Sequence, residues 1–157
     1  MRLTQHTDYA IRVLMFATSL WDSERLASIR EIAEAYGVSE NHLMKVVHRL
    51  GQAGLLHTQR GRNGGLRLAR DPARTRLGDV VRAMEEDMAL VECFTDHSTC
   101  PLSGACALAN ALDKARAAFL AELDRHTLAD LVPRARARQI IALSGRLATA
   151  TQQRRAT

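Results

Sequence analysis

Three cysteines, the only three in this 157-residue chain, fall within one stretch of 14 residues: Cys93, Cys100 and Cys106, in VECFTDHSTCPLSGACALAN. Thiols concentrated in this way, in a chain that shows no secretory signal, point to a metal or redox cluster rather than a disulfide framework. An odd count leaves one thiol over after any single disulfide. Three sulfur ligands also leave one position of a tetrahedral site to another donor. The spacing, Cys-x6-Cys-x5-Cys, lacks the tight Cys-x2–4-Cys pairs usual at zinc and the Cys-x2-Cys runs of ferredoxins. The residues between are loop formers that can wrap a compact object a few ångströms across. Spacing alone ranks an iron–sulfur cluster first and leaves zinc, a redox thiol pair and inert thiols open.

The fourth donor is not obvious. Asp96 and His97 lie in the loop, whereas His6, Asp8 and His126 serve only if folding or dimerisation brings them close. Ser103 is positioned to cap a long helix over about 104–125, which would make Cys106 its third residue, where the helix dipole favours a thiolate.

The elements that must position these groups follow from periodicity. Residues 7–20 read as a helix with Tyr9, Val13, Phe16 and Leu20 on one side, Thr7 as N-cap and Asp8 in the first turn. Ser28 and Glu31 form a capping-box pattern that opens a short helix ended by Gly37. Ser39 then caps a helix over roughly 39–53 with the stripe Leu43, Val46, Val47 and Leu50. Two short helices across a tight turn predict a helix-turn-helix, with Ser39, Asn41, His42, Lys45 and Arg49 of the second helix offered to DNA. The next segment, LLHTQR-GRNGG-LRLAR, predicts a basic hairpin or wing. Asn63, Gly64 and Gly65 would supply positive φ angles at its turn, and Arg60, Arg62, Asn63 and Arg67 would lie near phosphates or the minor groove.

Charge supports that placement. The window 41–70 holds six Lys/Arg, three His and no acid, within a chain of net charge +5. An acid-free stretch of this length favours a polyanionic partner. Residues 77–86 predict a further helix, 87–102 a loop with two of the cysteines, and 127–132 a short helix. The long helix carries Ala107, Leu108, Ala111, Leu112, Ala115, Phe119 and Leu123 on one face, and dimerisation is its natural partner surface.

The expected architecture is mainly α with a small β-hairpin wing: a winged helix-turn-helix plus a long dimerisation helix. Residues 1–75 form the DNA-binding domain, 76–133 the cluster loop and dimerisation helix, and 134–157 a basic tail, disordered or helical. No apolar run approaches 18 residues and no leader is evident, which predicts a soluble cytoplasmic protein outside the membrane. No Ser/His/Asp arrangement, Walker-type loop or GxGxxG is present, and GRNGG reads as a turn. No enzyme is expected.

The blocks LTQHTDYAIRVL, YGVSENHLMKVV, RGRNGGLRLAR, LGDVVRAMEED and LDRHTLADLV, with the three cysteines, cover about residues 1–133. Together they resemble the bacterial winged-helix Fe–S regulators, the family that includes IscR, and within it the nitric-oxide-sensing repressors. The resemblance implies a homodimer with one iron–sulfur cluster per subunit on Cys93, Cys100 and Cys106. It further implies a 4Fe–4S cluster, with 2Fe–2S as the alternative, completed by a first-helix aspartate of the other subunit; Asp8 occupies that position. IscR-like members place a histidine three residues after the third cysteine, and Ala109 stands there. The ligand set therefore favours nitric oxide as the signal over control of cluster assembly. The first cysteine gap varies within the group, so spacing does not fix nuclearity. The implied function is a repressor of double-stranded operator DNA, released on nitrosylation of its cluster. Its rivals are a same-fold sensor of iron, oxygen or redox state and a zinc-stabilised transcription factor.

Overall fold

The computed structural model describes residues 2–61, 64–95, 98–102, 106–133, 135, 137 and 139–142. Its elements run α1 (Gln5–Ser19), α2 (Ile29–Tyr36), α3 (Glu40–Gln52), β1 (Leu56–Gln59), β2 (Gly65–Leu68), α4 (Leu77–Met84), α5 (Ala107–Asp124) and α6 (Leu128–Leu131). Single 3-10 turns occupy Pro72–Arg74 and Glu92–Phe94. The protein is mainly helical with one antiparallel hairpin, as the periodicity predicts.

Helix α1 is the centre of the core. Ala10, Val13, Leu14 and Phe16 are each 0% exposed, and side chains of the Val, Leu and Phe size contribute about 1.5–3 kcal/mol apiece when fully buried. α1 packs against α2, α3, α4, α6 and β2. Its start differs from the sequence reading. Thr4 is the N-cap and accepts a hydrogen bond from the Thr7 backbone N–H at 3.3 Å. Thr7 is fully buried inside the first turn, so the cap lies three residues earlier than expected.

Ser28 caps α2 by accepting from the Glu31 N–H at 3.1 Å. The return half of the expected capping box is not made. The Glu31 carboxylate instead takes both terminal nitrogens of Arg25, at 3.0 and 2.7 Å. Gly37 ends the helix at φ 64°, a conformation costly for residues with a Cβ. The chain then turns directly into α3, whose stripe Leu43, Val46, Val47 and Leu50 is buried as read.

In the hairpin Leu56 opposes Leu68 and both are buried, while exposed His57 opposes exposed Arg67. β2 is flanked on its other edge by Ala27, which exchanges hydrogen bonds with Leu66 at 3.0 and 2.8 Å. The turn corrects the sequence reading: Gly61 carries the positive φ, at 111°, whereas Gly64 and Gly65 do not adopt one. They are needed for a different reason. A Cβ on Gly64 would run into the Gln59 carbonyl, and one on Gly65 would lie 2.6 Å from the Ala27 carbonyl oxygen.

Helix α5 begins at Ala107, later than expected, with Cys106 at the N-cap position rather than in the third helical place. Ser103 lies outside the described residues. α5 packs on α4, and Arg82 of α4 grips Asp124 near the end of α5 through two bonds of 2.8 and 2.5 Å. No α5 residue is fully buried. Of the basic tail, residues 135, 137 and 139–142 are helical. Ile140 and Ile141 pack against the core. Residues 143–157 lie outside the described residues.

Candidate functional site

The first candidate surface is built on α3 and the hairpin. Burying Leu43, Val46, Val47 and Leu50 turns Asn41, His42, Lys45 and His48 outward, and all four are exposed. Ser39 stands at the N-cap position, exposed, with no side-chain capping bond. Its hydroxyl therefore sits at the positive end of the helix dipole, where phosphate is favoured. A cleft of about 540 Å³ separates α3 from the wing, lined by Met44, His48, Thr58, Gln59 and Arg60 among others.

Arg49 and Arg67 are placed differently from their neighbours. Arg49 is half-buried in the last turn of α3 and pairs with Glu86 at 3.1 Å. Arg67 lies on the hairpin beside His57 and lines a separate hollow of about 380 Å³ with Trp21, Glu24 and Arg25. Arg62 and Asn63 lie outside the described residues. Sequence reasoning missed Met44, which is 50% exposed. Its offset from the stripe at helical spacing was a usable signal. It also missed Glu86, for which no local signal exists.

The second candidate is the cysteine segment. None of the three cysteines is in a disulfide, and all three are half-buried. Cys93 sits in the Glu92–Phe94 turn. That turn is held by a hydrogen bond from the Thr99 hydroxyl to Glu92 Oε1 at 3.1 Å, and by the Arg116 guanidinium lying 5.8 Å from the Phe94 ring centre. The first contact closes the loop between Cys93 and Cys100; the second ties it to α5. The Cys100 N–H donates to Ser98 Oγ at 3.3 Å, and Cys106 is the N-cap residue of α5. Among the described residues, no three His, Cys, Asp or Glu side chains form a group that could hold one metal ion. As a donor set, three half-buried cysteines outside any disulfide have the soft sulfur chemistry that an iron–sulfur cluster takes.

The remaining candidate donors stand apart in character. Asp8, in the first turn of α1, pairs with Arg12 at 2.9 Å with nearly half its side chain exposed. Arg12 also lies 5.8 Å from the Tyr36 ring centre. Burial pushes the Tyr36 hydroxyl pKa up, with Arg12 opposing. His126 approaches Glu122 at 3.4 Å. Asp96 and His97 lie outside the described residues.

A helix-turn-helix, a hairpin stitched to it and an acid-free outer face define a winged-helix DNA-binding regulator. The chain belongs to the Rrf2 family, described as iron-dependent transcriptional regulators, whose profile matches residues 3–134. It is 49% identical over 133 residues to the HTH-type transcriptional regulator NsrR of Bacillus subtilis, covering 84% of this chain and 90% of that one. Among solved structures, IscR of T. potens superposes with a TM-score of 0.68 at 27% identity, covering 86% and 88%. CymR, the global cysteine regulator of B. subtilis, gives 0.68 at 27%, covering 83% and 95%. Its relatives are named as transcriptional regulators, not enzymes. No described helix is long and apolar enough to cross a membrane.

Proposed function

We propose that the chain is a homodimeric repressor that reads a pseudo-palindromic operator and reports nitric oxide through an iron–sulfur cluster. The observation that carries this reading is three half-buried cysteines outside any disulfide, the last of them at the N-cap of a helix with no fully buried residue, on a chain that also carries a winged helix-turn-helix. Cys93, Cys100 and Cys106 would hold the cluster, and Asp8 of the partner subunit would complete a 4Fe–4S form. When bound, the cluster would supply irons with an affinity for nitric oxide.

The chain's own residues do the rest. α3 enters the major groove and offers Ser39, Asn41, His42 and Lys45 to base edges and phosphates. Arg60, Arg62, Asn63 and Arg67 of the wing track the backbone. α5 lays Leu108, Leu112 and Phe119 against its symmetry mate, which sets the distance between the two heads. A carboxylate is a weaker holder of iron than a thiolate, so Asp8 would be the most weakly held of the four donors. While held there, it would couple one subunit's first helix to the other's cysteine loop. A coupling of ~3 kcal/mol between cluster state and head position weakens DNA binding more than a hundredfold.

A second reading has one observation in its favour: the family is described as iron-dependent, which suits a same-fold regulator that responds to iron supply. Anaerobic native mass spectrometry of the purified dimer, before and after titration with nitric oxide, separates the two. Two 4Fe–4S clusters that gain nitrosyl mass, with operator binding lost in parallel, are expected. A cluster untouched by nitric oxide would reassign the signal, and zinc in its place would remove the cluster altogether.

A further inference from the structure

Four large apolar side chains are notably exposed among the described residues: Trp21, Met44, Leu102 and Leu108. Leu102 and Leu108 flank Cys106, and Trp21 follows α1. Met44 stands alone on α3, half exposed, at the rim of the cleft between that helix and the wing. Its neighbours Asn41, Lys45 and His48 are polar or charged, and no acid occurs from 41 to 70. A thioether gains nothing from phosphates. It holds this position at the expense of leaving apolar surface in water.

The major groove offers one apolar feature along its base edges, the C5-methyl of thymine. Methionine is unbranched and polarisable, so it can settle over a methyl without a preformed pocket. We propose that Met44 is a specificity-determining residue that reads one thymine methyl in each operator half-site. This rests on α3 being the recognition helix. Asn41 and Lys45 supply hydrogen bonds and charge; Met44 supplies discrimination of thymine from cytosine and from uracil at a position its polar neighbours cannot distinguish by methyl content.

The test uses the full chain, purified anaerobically, and a duplex selected by it from a random-sequence library. Each thymine of one half-site is replaced in turn by uracil, which removes only the methyl group, and affinity is measured by fluorescence anisotropy. One position should bind about fourfold more weakly as uracil, the worth of one buried methyl. Met44→Ala should bind the thymine and uracil duplexes equally, while Met44→Leu should keep the difference. Uniform tolerance of uracil by the unmodified chain would overturn the proposal and leave DNA recognition standing, as would a thymine preference that survives in Met44→Ala. Failure to select any duplex would instead sink the recognition-helix reading, and the Met44 proposal with it.

Discussion

Arg49, in the last turn of α3, is paired with Glu86, 37 positions later, at 3.1 Å. The acid-free face of residues 41–70 is thus met by one carboxylate from outside it, on the segment that leads from α4 toward the cysteines. Glu86 is 87% exposed, so the pair adds at most a few tenths of a kcal/mol to folding. On DNA the same carboxylate would repel phosphate. Glu86→Gln is therefore expected to leave the melting temperature unchanged and to tighten operator binding about two- to fivefold at low salt. Arg49→Ala should weaken it. Anisotropy titrations across a salt series decide the matter: no change in either variant would remove Arg49 from the interface.

The dimer reading places weight on the exposed face of α5. Leu108 is 64% exposed in the single chain, so Leu108→Glu should not disturb the fold. It should convert dimer to monomer and weaken operator binding more than tenfold, because two half-sites would no longer be engaged together. Analytical ultracentrifugation beside DNA titration checks this. A dimer of unchanged stability would move the interface elsewhere.

Asp8 separates a ligand role from a local one. As a half-exposed partner of Arg12 four residues on, it is worth about 0.3–0.5 kcal/mol to the helix. Asp8→Ala should then melt within about 2 °C of the parent chain. If the residue also completes a cluster, the variant's visible absorbance should decay faster in air and its nitric oxide response should change. Identical absorbance, decay and response in the two proteins would confine Asp8 to its pair with Arg12.

Arg82 and Asp124 pin α4 to the end of α5. The hydrogen bonds from Arg82 hold the Asp124 carboxyl below the usual aspartate range. Asp130 is likewise lowered, first by the Thr127 backbone N–H and then by its hydroxyl. Groups lowered in the folded state stabilise it fully above the ordinary value of about 3.9 and lose that contribution as pH falls through the folded value. Asp124→Asn should therefore melt lower than the parent at pH 7, with the gap closing as pH drops below about 4. A gap that does not narrow at all as pH falls would show that the pair's charge is not what matters.

Gly65 tests the wing. A Cβ there would lie 2.6 Å from the Ala27 carbonyl oxygen and 2.7 Å from Leu26 Cβ. Backbone cannot yield as a flexible side chain does, so Gly65→Ala should cost about 1–3 kcal/mol, visible in urea denaturation. A neutral substitution would mean that the Ala27 strand edge moves freely.

Local periodicity made much of this legible. Leu43, Val46, Val47 and Leu50 were identifiable because a helix repeats within one turn, and Gly37 because a helix stop is a local event. What the sequence did not reveal depends on distant partners. Glu31 looked like half of a capping box, but Arg25 captured its carboxylate. Gly64 and Gly65 looked like sources of positive φ, but they are small because Gln59 and Ala27 lie against them. Of the candidate site, the exposed face of α3 followed from its buried stripe. The pairing of Arg49 with Glu86, and the division of the wing that sends Arg60 to one cleft and Arg67 to another, arise only once α1 has drawn the elements together.

The bridge between Ala27 and Leu66, with α1 buried against five elements, ties this chain together as a single block from its first helix to its wing. A block of this kind can be re-aimed but not bent. In a dimer of such blocks, signal and DNA would be linked through angular phase: each base pair inserted between half-sites turns the second by about 35° and moves it about 3.4 Å. The operator spacer would then act as a gauge of the angle between heads, and the spacer preferred by the loaded protein would differ from the one preferred after the signal.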